Sequence, residues 1–176
     1  MNTRDAHAIQ AQVFSAEVLA RFDHELAKYP ADQKQSAVIA CLSIIQQIQG
    51  FISPESEKGL AQYLDMPVMA VHEVSTFYNM FNLQAVGRFK INVCTNLPCQ
   101  LRGGQQALQH LCDKLQVEVG GTSADGLFTL QPGECMGACA DAPVLLVNDR
   151  SMCSFMSNDK LDLMIDGLRQ AAKESV

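Results

Sequence analysis

Two short cysteine-containing stretches decide how this chain folds: Cys94-Thr95-Asn96-Leu97-Pro98-Cys99 and Cys135-Met136-Gly137-Ala138-Cys139. Their spacing is C-x4-C, then 35 residues, then C-x3-C. Four thiolates in two such pairs can hold a metal centre. Because an extended strand would place Cys94 and Cys99 roughly 16 Å apart, the first stretch must fold back for both of its sulfurs to reach one centre.

The spacing of the pairs bears on which centre they hold. Structural zinc usually takes C-x2-C in both halves, and neither pair has that spacing. A thioredoxin-type redox pair requires C-x-x-C at a helix N-terminus, which is also missing. A [2Fe–2S] cluster held by four thiolates tolerates longer spacings, C-x4-C among them. The pattern therefore favours one [2Fe–2S] cluster, with zinc as an open alternative, and its candidate ligands are Cys94, Cys99, Cys135 and Cys139.

Composition and charge exclude several classes of protein. The chain has 176 residues, 48% of them hydrophobic, and a net charge of -6. An acidic chain without a basic run argues against nucleic acid as a partner. No apolar stretch approaches the ~20 residues of a membrane span, so direct membrane insertion is not expected.

The remaining cysteines have a simpler interpretation. The N-terminus has no signal-peptide core and is not Arg-rich, so a reducing compartment is expected. An odd number of cysteines, seven, also cannot pair completely within one chain. Cys41 and Cys112 fall on apolar helical stripes and Cys153 in a predicted strand, so these three are expected to be packing residues.

The first half of the chain has helical periodicity. Ser15 and Ser53 are predicted N-caps, Pro54 fits the first turn of a helix, and Gly50 fits a helix end. The second helix carries an apolar stripe expected to be buried: Val38, Cys41, Leu42, Ile45 and Ile48. Four helices are thus predicted, over about residues 15–29, 32–49, 54–65 and 67–78.

After residue 86 the hydrophobic period becomes that of strands. Phe89, Ile91 and Val93 alternate with polar residues, which predicts a half-buried strand ending at Cys94. Further strands are predicted near residues 117–119, 127–130, 142–147 and 151–156, and helices over about 104–116 and 159–172. This order is an α/β layout that resembles a thioredoxin-like domain.

The predicted architecture is therefore α/β, or α+β over the whole chain. A loose arm (residues 1–14) precedes an N-terminal short-helix bundle (15–85) and a thioredoxin-like [2Fe–2S] ferredoxin domain (86–176). No catalytic set emerges, because the chain has no nucleotide-binding glycine motif and no nucleophile–base pair. Gly103-Gly104 is interpreted as a simple turn into a helix. The chain is predicted to hold an electron without binding a nicotinamide or a flavin.

These residues resemble a known family. The two cysteine stretches, followed by Ala142-Pro143, resemble the small [2Fe–2S] subunit of respiratory complex I (NADH-quinone oxidoreductase), known in bacteria as its E subunit. Ser75-Thr76-Phe77-Tyr78-Asn79-Met80-Phe81 and Gly50-Phe51-Ile52-Ser53-Pro54 share the resemblance, which covers roughly residues 15–170. The four candidate cysteines match the family's cluster-ligand positions one for one. Phe51 stands where the family often has tryptophan, a packing change away from the site.

The resemblance implies a role and partners. The chain would be an electron-transfer subunit of an NADH dehydrogenase, without a complete active site of its own. Its cluster would lie near the FMN and the NADH site of the FMN-binding subunit of complex I, and the large iron–sulfur subunit of that complex would be a further partner. The implied location is the cytoplasmic side of the bacterial inner membrane, where the chain would be peripheral.

Other functions remain open at this point. Related subunits serve NAD-reducing hydrogenases and NAD-dependent formate dehydrogenases. A free-standing thioredoxin-like ferredoxin and a zinc-stabilised interaction module are further alternatives. The helical domain favours a docking subunit over a lone carrier, because a lone carrier has no need of it. Residues 77–81, rich in aromatic side chains and Met, are expected either to dock a partner or to form an inter-domain core.

Overall fold

The computed structural model describes residues 13–174 and separates the chain after Ala85. The first unit ends at Ala85 and its described residues, 13–85, are helical, whereas the second, Val86–Val176, contains a four-stranded sheet. The predicted combination of a short-helix bundle with an α/β domain is confirmed. Residues 1–12, which form most of the predicted arm, lie outside the described residues. None of the helices within residues 13–174 is long and apolar enough to cross a membrane.

Capping residues set the ends of the helices in the first unit. The Ser15 hydroxyl accepts from the Val18 N–H (3.4 Å) and the Ser53 hydroxyl from the Ser56 N–H (3.1 Å), so both predicted N-caps are confirmed. Gly50 ends the second helix with a φ of 83°, a left-handed conformation that glycine adopts without a Cβ clash. The described elements are α1 Ala16–Leu26, a 3-10 turn Lys34–Ala37, α2 Val38–Gln49, α3 Pro54–Leu64 and α4 Val68–Phe77.

One apolar core joins these four helices. The rings of Phe14 and Phe22 meet edge to face with centroids 5.2 Å apart, which brings the chain before α1 into this core. The predicted stripe of α2 is buried except for Ile48, whose side chain is 51% exposed. The prediction for Ile48 is wrong because residues 47–50 are all exposed and the core does not extend to this last turn.

The sheet of the second unit has the strand order β2-β1-β3-β4. Its strands are β1 Phe89–Cys94, β2 Phe128–Gly133, β3 Leu145–Val147 and β4 Ser151–Cys153, and its helices are α5 Leu97–Leu101, α6 Gly104–Leu115 and α7 Asn158–Glu174. β1 and β2 are parallel, whereas β3 is antiparallel to both β1 and β4. Parallel neighbours require a crossover, and α5 and α6 provide it.

Alternating residues of β1 face different surroundings. Ile91 and Val93 pack in one apolar cluster with Leu111 of α6 and Leu161 of α7. On the other face, the ammonium group of Lys90 lies 2.5 Å from Asp149 in the β3–β4 turn, although the Lys90 side chain is only 2% exposed. The Asn92 amide donates to the same carboxylate at 2.6 Å. These polar contacts hold the hairpin against β1.

The predicted strand at residues 117–119 is wrong. The Val117 N–H instead closes the end of α6 by donating to the Cys112 carbonyl at 3.1 Å. The bridge beside β2 forms later in the chain, between Thr122 and Thr129. An alternation over only three residues, Val117 to Val119, is too short to distinguish a strand from a helix end.

A glycine in α3 provides a test of this packing. A methyl group at Gly59 would lie 2.9 Å from Cε2 of Phe14 and 3.2 Å from Cγ1 of Val13. We expect Gly59→Ala to lower the free energy of unfolding by about 1–3 kcal/mol, because overpacking the core outweighs the gain in helix propensity. Urea unfolding followed by circular dichroism measures this change.

Gly167→Ala in α7 is the matched control. Nothing lies within 4 Å of a Cβ at Gly167, so this variant should be as stable as the wild type or more stable by up to about 1 kcal/mol. A Gly59→Ala protein that was also unchanged or stabilised would show that the Phe14 segment does not pack on α3 in solution.

Candidate metal centre

The pairing of β1 with β2 brings the two cysteine stretches to one edge of the sheet. Cys94, the last residue of β1, is in register with Gly133, the last residue of β2. Because the strands are parallel, the loops that leave these two ends start side by side. The Thr95 N–H donates to the Gly133 carbonyl at 3.0 Å and continues the pairing into the loops.

The first pair is buried by the turn that follows β1. The Cys94 N–H donates to the Val144 carbonyl at 3.1 Å, and the chain then turns into α5, with Pro98 in its first turn. Cys99 lies within this short helix, which is the predicted fold-back. Both thiols belong to a small buried cluster with Ala142 and Val144, and each residue is only 2% exposed.

The second pair is exposed. Cys135 lies in an irregular loop, and Cys139 begins the 3-10 turn Cys139–Asp141. Gly137, between them, has a φ of 73°, which places it in the left-handed region that favours glycine. The loop therefore presents two thiols to solvent beside the buried pair.

The four sulfurs influence one another electrostatically. Burial raises the pKa of the Cys99 thiol, and Cys94 and Cys139 raise it further, whereas an N–H donated by Val144 lowers it. Contact with the Cys135 side chain raises the pKa of Cys139, and the charge of Cys94 adds to this effect. The thiols of each pair therefore lie close enough to shift each other's pKa, and a weaker electrostatic effect acts between the two pairs. Four thiolates here need cations to offset their mutual repulsion.

Gly104, the first residue of α6, lies directly under the first loop. A Cβ at this position would be 2.8 Å from the Cys99 carbonyl oxygen and 3.1 Å from that of Cys94. Gly103-Gly104 is therefore more than the turn that the sequence indicates, because it lets α6 begin against the backbone of the cysteine loop. The hydrogen bond from the Val144 N–H to the Cys99 sulfur was not indicated by the sequence either. Val144 directly follows the cis peptide Ala142–Pro143.

The other three cysteines lie elsewhere. Cys41 is fully buried in the helical core, where burial raises the pKa of its thiol to about 12. Cys112 and Cys153 are half-buried, and burial raises the pKa of each thiol. The expected packing role of Cys41 is confirmed, and Cys112 and Cys153 pack at the border of the second core.

The four thiols are grouped as two pairs and not around one point. Within residues 13–174, no three His, Cys, Asp or Glu side chains are grouped to hold a single metal ion. A [2Fe–2S] cluster requires only two thiolates at each iron, because bridging sulfides complete the coordination. Two thiol pairs on adjacent loops have the donor set and the grouping that such a cluster needs.

Comparison with known proteins identifies the class. A family model described as thioredoxin-like [2Fe-2S] ferredoxin matches residues 22–169, which include all four candidate ligands and parts of both units. Together with the sheet and its two cysteine loops, this match shows that the chain belongs to the thioredoxin-like [2Fe-2S] ferredoxin family.

Similar proteins of known name show to which group within this family the chain belongs. The chain is 38% identical over 142 residues to the E subunit of NADH-quinone oxidoreductase from Rickettsia felis, covering 80% of this chain and 84% of that protein. It is 39% identical over 137 residues to the mitochondrial NADH dehydrogenase [ubiquinone] flavoprotein 2 of Dictyostelium discoideum, covering 77% of this chain and 56% of that one. The chain is thus a member of the family of NADH-quinone oxidoreductase E subunits, and the resemblance inferred from sequence is confirmed.

A solved structure supports the fold. The chain is similar to part of a NAD+-reducing [NiFe]-hydrogenase structure with a TM-score of 0.66 and 19% sequence identity. The similarity covers 81% of this chain and 24% of that one. At this identity the similarity shows the shared fold alone.

The close contact at Gly104 yields a prediction about metal retention. Gly104→Ala should force the backbone of the Cys94–Cys99 loop to move, because the methyl group would meet carbonyl oxygens rather than a flexible side chain. We expect iron to be lost to a chelator roughly tenfold faster or more, as for other residues that orient metal ligands. Iron release is followed by the colour of the iron–chelator complex, with Gly167→Ala as control. Equal release rates in the two variants would contradict this role for Gly104.

Proposed function

We propose that this chain carries one [2Fe–2S] cluster in its second unit and transfers single electrons as a subunit of an NADH-quinone oxidoreductase. Cys94 and Cys99 would hold one iron, and Cys135 and Cys139 the other. The observation that carries the proposal is the placement of two cysteine pairs on adjacent loops at one edge of the sheet, with the second loop packed against the first pair. Membership of the [2Fe-2S] ferredoxin family supports this choice of cofactor.

The grouping of the four thiols into two pairs also favours a [2Fe–2S] cluster over a structural zinc ion. A structural zinc ion takes four thiolates around a single point. A binuclear cluster takes them two by two, which is how the thiols are grouped in this chain. The pairwise grouping favours the cluster, and measurement of iron and acid-labile sulfide distinguishes the two.

The residues around the thiols suit a centre that gains and loses one electron. When bound, the cluster supplies a one-electron redox couple with a negative charge in both states. The N–H of Val144 donates to the Cys99 sulfur and stabilises negative charge on it. α6 begins at Gly104 beside the same loop, and the N-terminal end of a 12-residue helix favours negative charge nearby. Both contributions come from the chain's own backbone.

The two units would have different tasks. We assign electron transfer to residues 86–176 and partner binding to the helical domain, residues 15–85. Phe77, the last residue of α4, is 79% exposed, and Tyr78 directly after it is also exposed. Large exposed aromatic side chains are typical anchors of protein interfaces. Phe81, by contrast, packs in the helical core.

The proposed partners follow from the family. The FMN-binding subunit of complex I, which carries the NADH site, would be the electron donor, and the large iron–sulfur subunit would be a further neighbour. The complex would lie on the cytoplasmic side of the bacterial inner membrane. An equivalent place in a NAD-reducing hydrogenase or NAD-dependent formate dehydrogenase is the second candidate. Identification of the proteins that co-purify with the chain decides between these complexes.

Substitution of the proposed ligands tests the cofactor. Serine in place of Cys94, Cys99, Cys135 or Cys139 should remove most of the visible absorption and shift the electron paramagnetic resonance of the reduced protein. The reason is that an alkoxide is a harder ligand than a thiolate and suits iron–sulfur clusters poorly. Anaerobically purified wild-type chain should contain roughly two irons and two sulfides.

The remaining cysteines are the controls for this series. Cys41→Ser, Cys112→Ser and Cys153→Ser should keep the absorption. Cys41→Ser should lower the free energy of unfolding by about 1–3 kcal/mol, since it places a hydroxyl in an apolar core. A folded Cys112→Ser protein without visible absorption would make the proposed ligand set wrong, and zinc without iron would contradict the cofactor.

Substitution of the exposed Phe77 tests whether the helical domain binds the partner subunit. We expect Phe77→Ser to weaken binding to the FMN-binding subunit at least about tenfold, because aromatic anchors contribute much of the energy of an interface. Leu163→Ser in α7 is the control, since Leu163 is a similarly exposed apolar side chain in the second unit. Binding is measured by titration of the full-length chain with the purified FMN-binding subunit. Unchanged binding by Phe77→Ser would remove the docking role from this side chain.

A further inference from the structure

The two thiol pairs differ in their access to solvent. Cys94 and Cys99 are each 2% exposed, whereas Cys135 and Cys139 are exposed. A reagent or protein that approaches from solution therefore meets the second pair first. We call Cys94 and Cys99 the inner pair, and Cys135 and Cys139 the outer pair.

The inner pair is enclosed by regular structure. Cys94 belongs to β1, and its N–H is bonded to the Val144 carbonyl at 3.1 Å. Cys99 lies in α5, and its carbonyl abuts the position of Gly104 in α6. Both cysteines are buried in one cluster with Ala142 and Val144. Access to the inner pair requires these elements to move.

The outer pair is held more loosely, although Met136 and Ala138 of its loop pack against the cluster of the inner pair. Cys135 is in a loop without regular structure, and Cys139 begins a turn of three residues. The space around a Cβ at Gly137, between them, is empty to 4 Å. Both thiols can thus reach a group in solution without a change in the sheet or its helices.

We propose that the outer pair accepts the cluster first, from a donor that holds a [2Fe–2S] cluster by thiolates, and that the inner pair binds second. This order rests on the proposed function, because it concerns how that cofactor enters. The kind of donor is defined by chemistry: a protein or a small thiol that presents a thiolate-ligated cluster with one iron exposed.

The transfer is a ligand exchange and involves no change in oxidation state. The sulfurs of Cys135 and Cys139 each form a bond to one iron as a donor thiolate leaves it, and each cysteine proton passes through solvent to a departing thiolate. The sulfurs of Cys94 and Cys99 then displace the last two donor thiolates from the second iron in the same way. Four iron–thiolate bonds break and four form. Access of the attacking sulfur limits such exchange rates.

The first experiment measures thiol access in the full-length, cluster-free chain. Brief treatment with iodoacetamide followed by mass spectrometry gives the alkylation rate of each cysteine. Cys135 and Cys139 should react at least about tenfold faster than Cys94 and Cys99, since access limits thiol reactions. Equal rates for the two pairs would overturn the proposal.

The second experiment follows cluster uptake with glutathione-ligated [2Fe–2S] as the donor. In stopped-flow absorption, Cys135→Ser and Cys139→Ser should slow the first phase at least about tenfold, because the accessible sulfurs are lost. Cys94→Ser and Cys99→Ser should keep the first phase within about twofold, but the captured iron should be removed by EDTA. Cys112→Ser, at a half-buried cysteine outside the site, is the matched control.

The outcomes separate the two proposals. A first phase slowed equally by inner-pair and outer-pair variants overturns the loading order while leaving the cofactor assignment intact. A wild-type chain that contains iron and sulfide as purified but takes up no iron from this donor overturns the loading proposal alone, whereas a purified chain without iron overturns the cofactor. Circular dichroism of each variant establishes that a slow phase does not arise from unfolding.

Discussion

The parallel pairing of β1 with β2 is the interaction on which the rest of the second unit depends. It places Cys94 opposite Gly133, so that both cysteine loops leave the sheet at one level. It also fixes which side chains of β1 face the helices, since a slip of one residue would turn Ile91 and Val93 to the other face. The core and the candidate site therefore share one register.

The two thiol pairs differ in burial and in their hydrogen-bond partners. The inner pair is buried in one cluster with Ala142 and Val144 and receives an N–H from Val144, while the outer pair meets solvent. A buried pair favours retention of a metal centre because water and competing ligands are excluded. An exposed pair favours entry of the centre and its exchange with a donor. The proposed cluster site would thus combine a buried pair of thiols with an exposed one.

The helical unit contributes none of the four candidate ligands. The described residues of this unit form one apolar core, from Phe14 to Phe81. Packing alone gives no reason for the exposure of Phe77 at the end of α4. The docking role proposed for Phe77 would account for this exposure, and the named relatives of the chain are subunits of NADH dehydrogenases.

The sequence by itself determined the elements whose causes are local. Caps at Ser15 and Ser53, the helix end at Gly50 and the strand before Cys94 follow from side chains a few residues apart, and the structure has each of them. Cysteine spacing likewise indicated the four candidate ligands and the family. Local signals failed at two places. Ile48 was expected to be buried but lies in the exposed last turn of α2, and residues 117–119 were expected to form a strand but follow the end of α6.

Only the tertiary structure decided how the cysteines differ. The cysteine spacing indicates all four residues as candidate ligands and does not show which pair is buried. Cys94 and Cys99 are buried with Ala142 and Val144, which lie more than 40 residues beyond Cys99 in the chain. The N–H that reaches the Cys99 sulfur and the close approach of Gly104 likewise arise from packing between distant segments. Such contacts have no local sequence signature, because solvent access and backbone proximity are properties of the assembled fold.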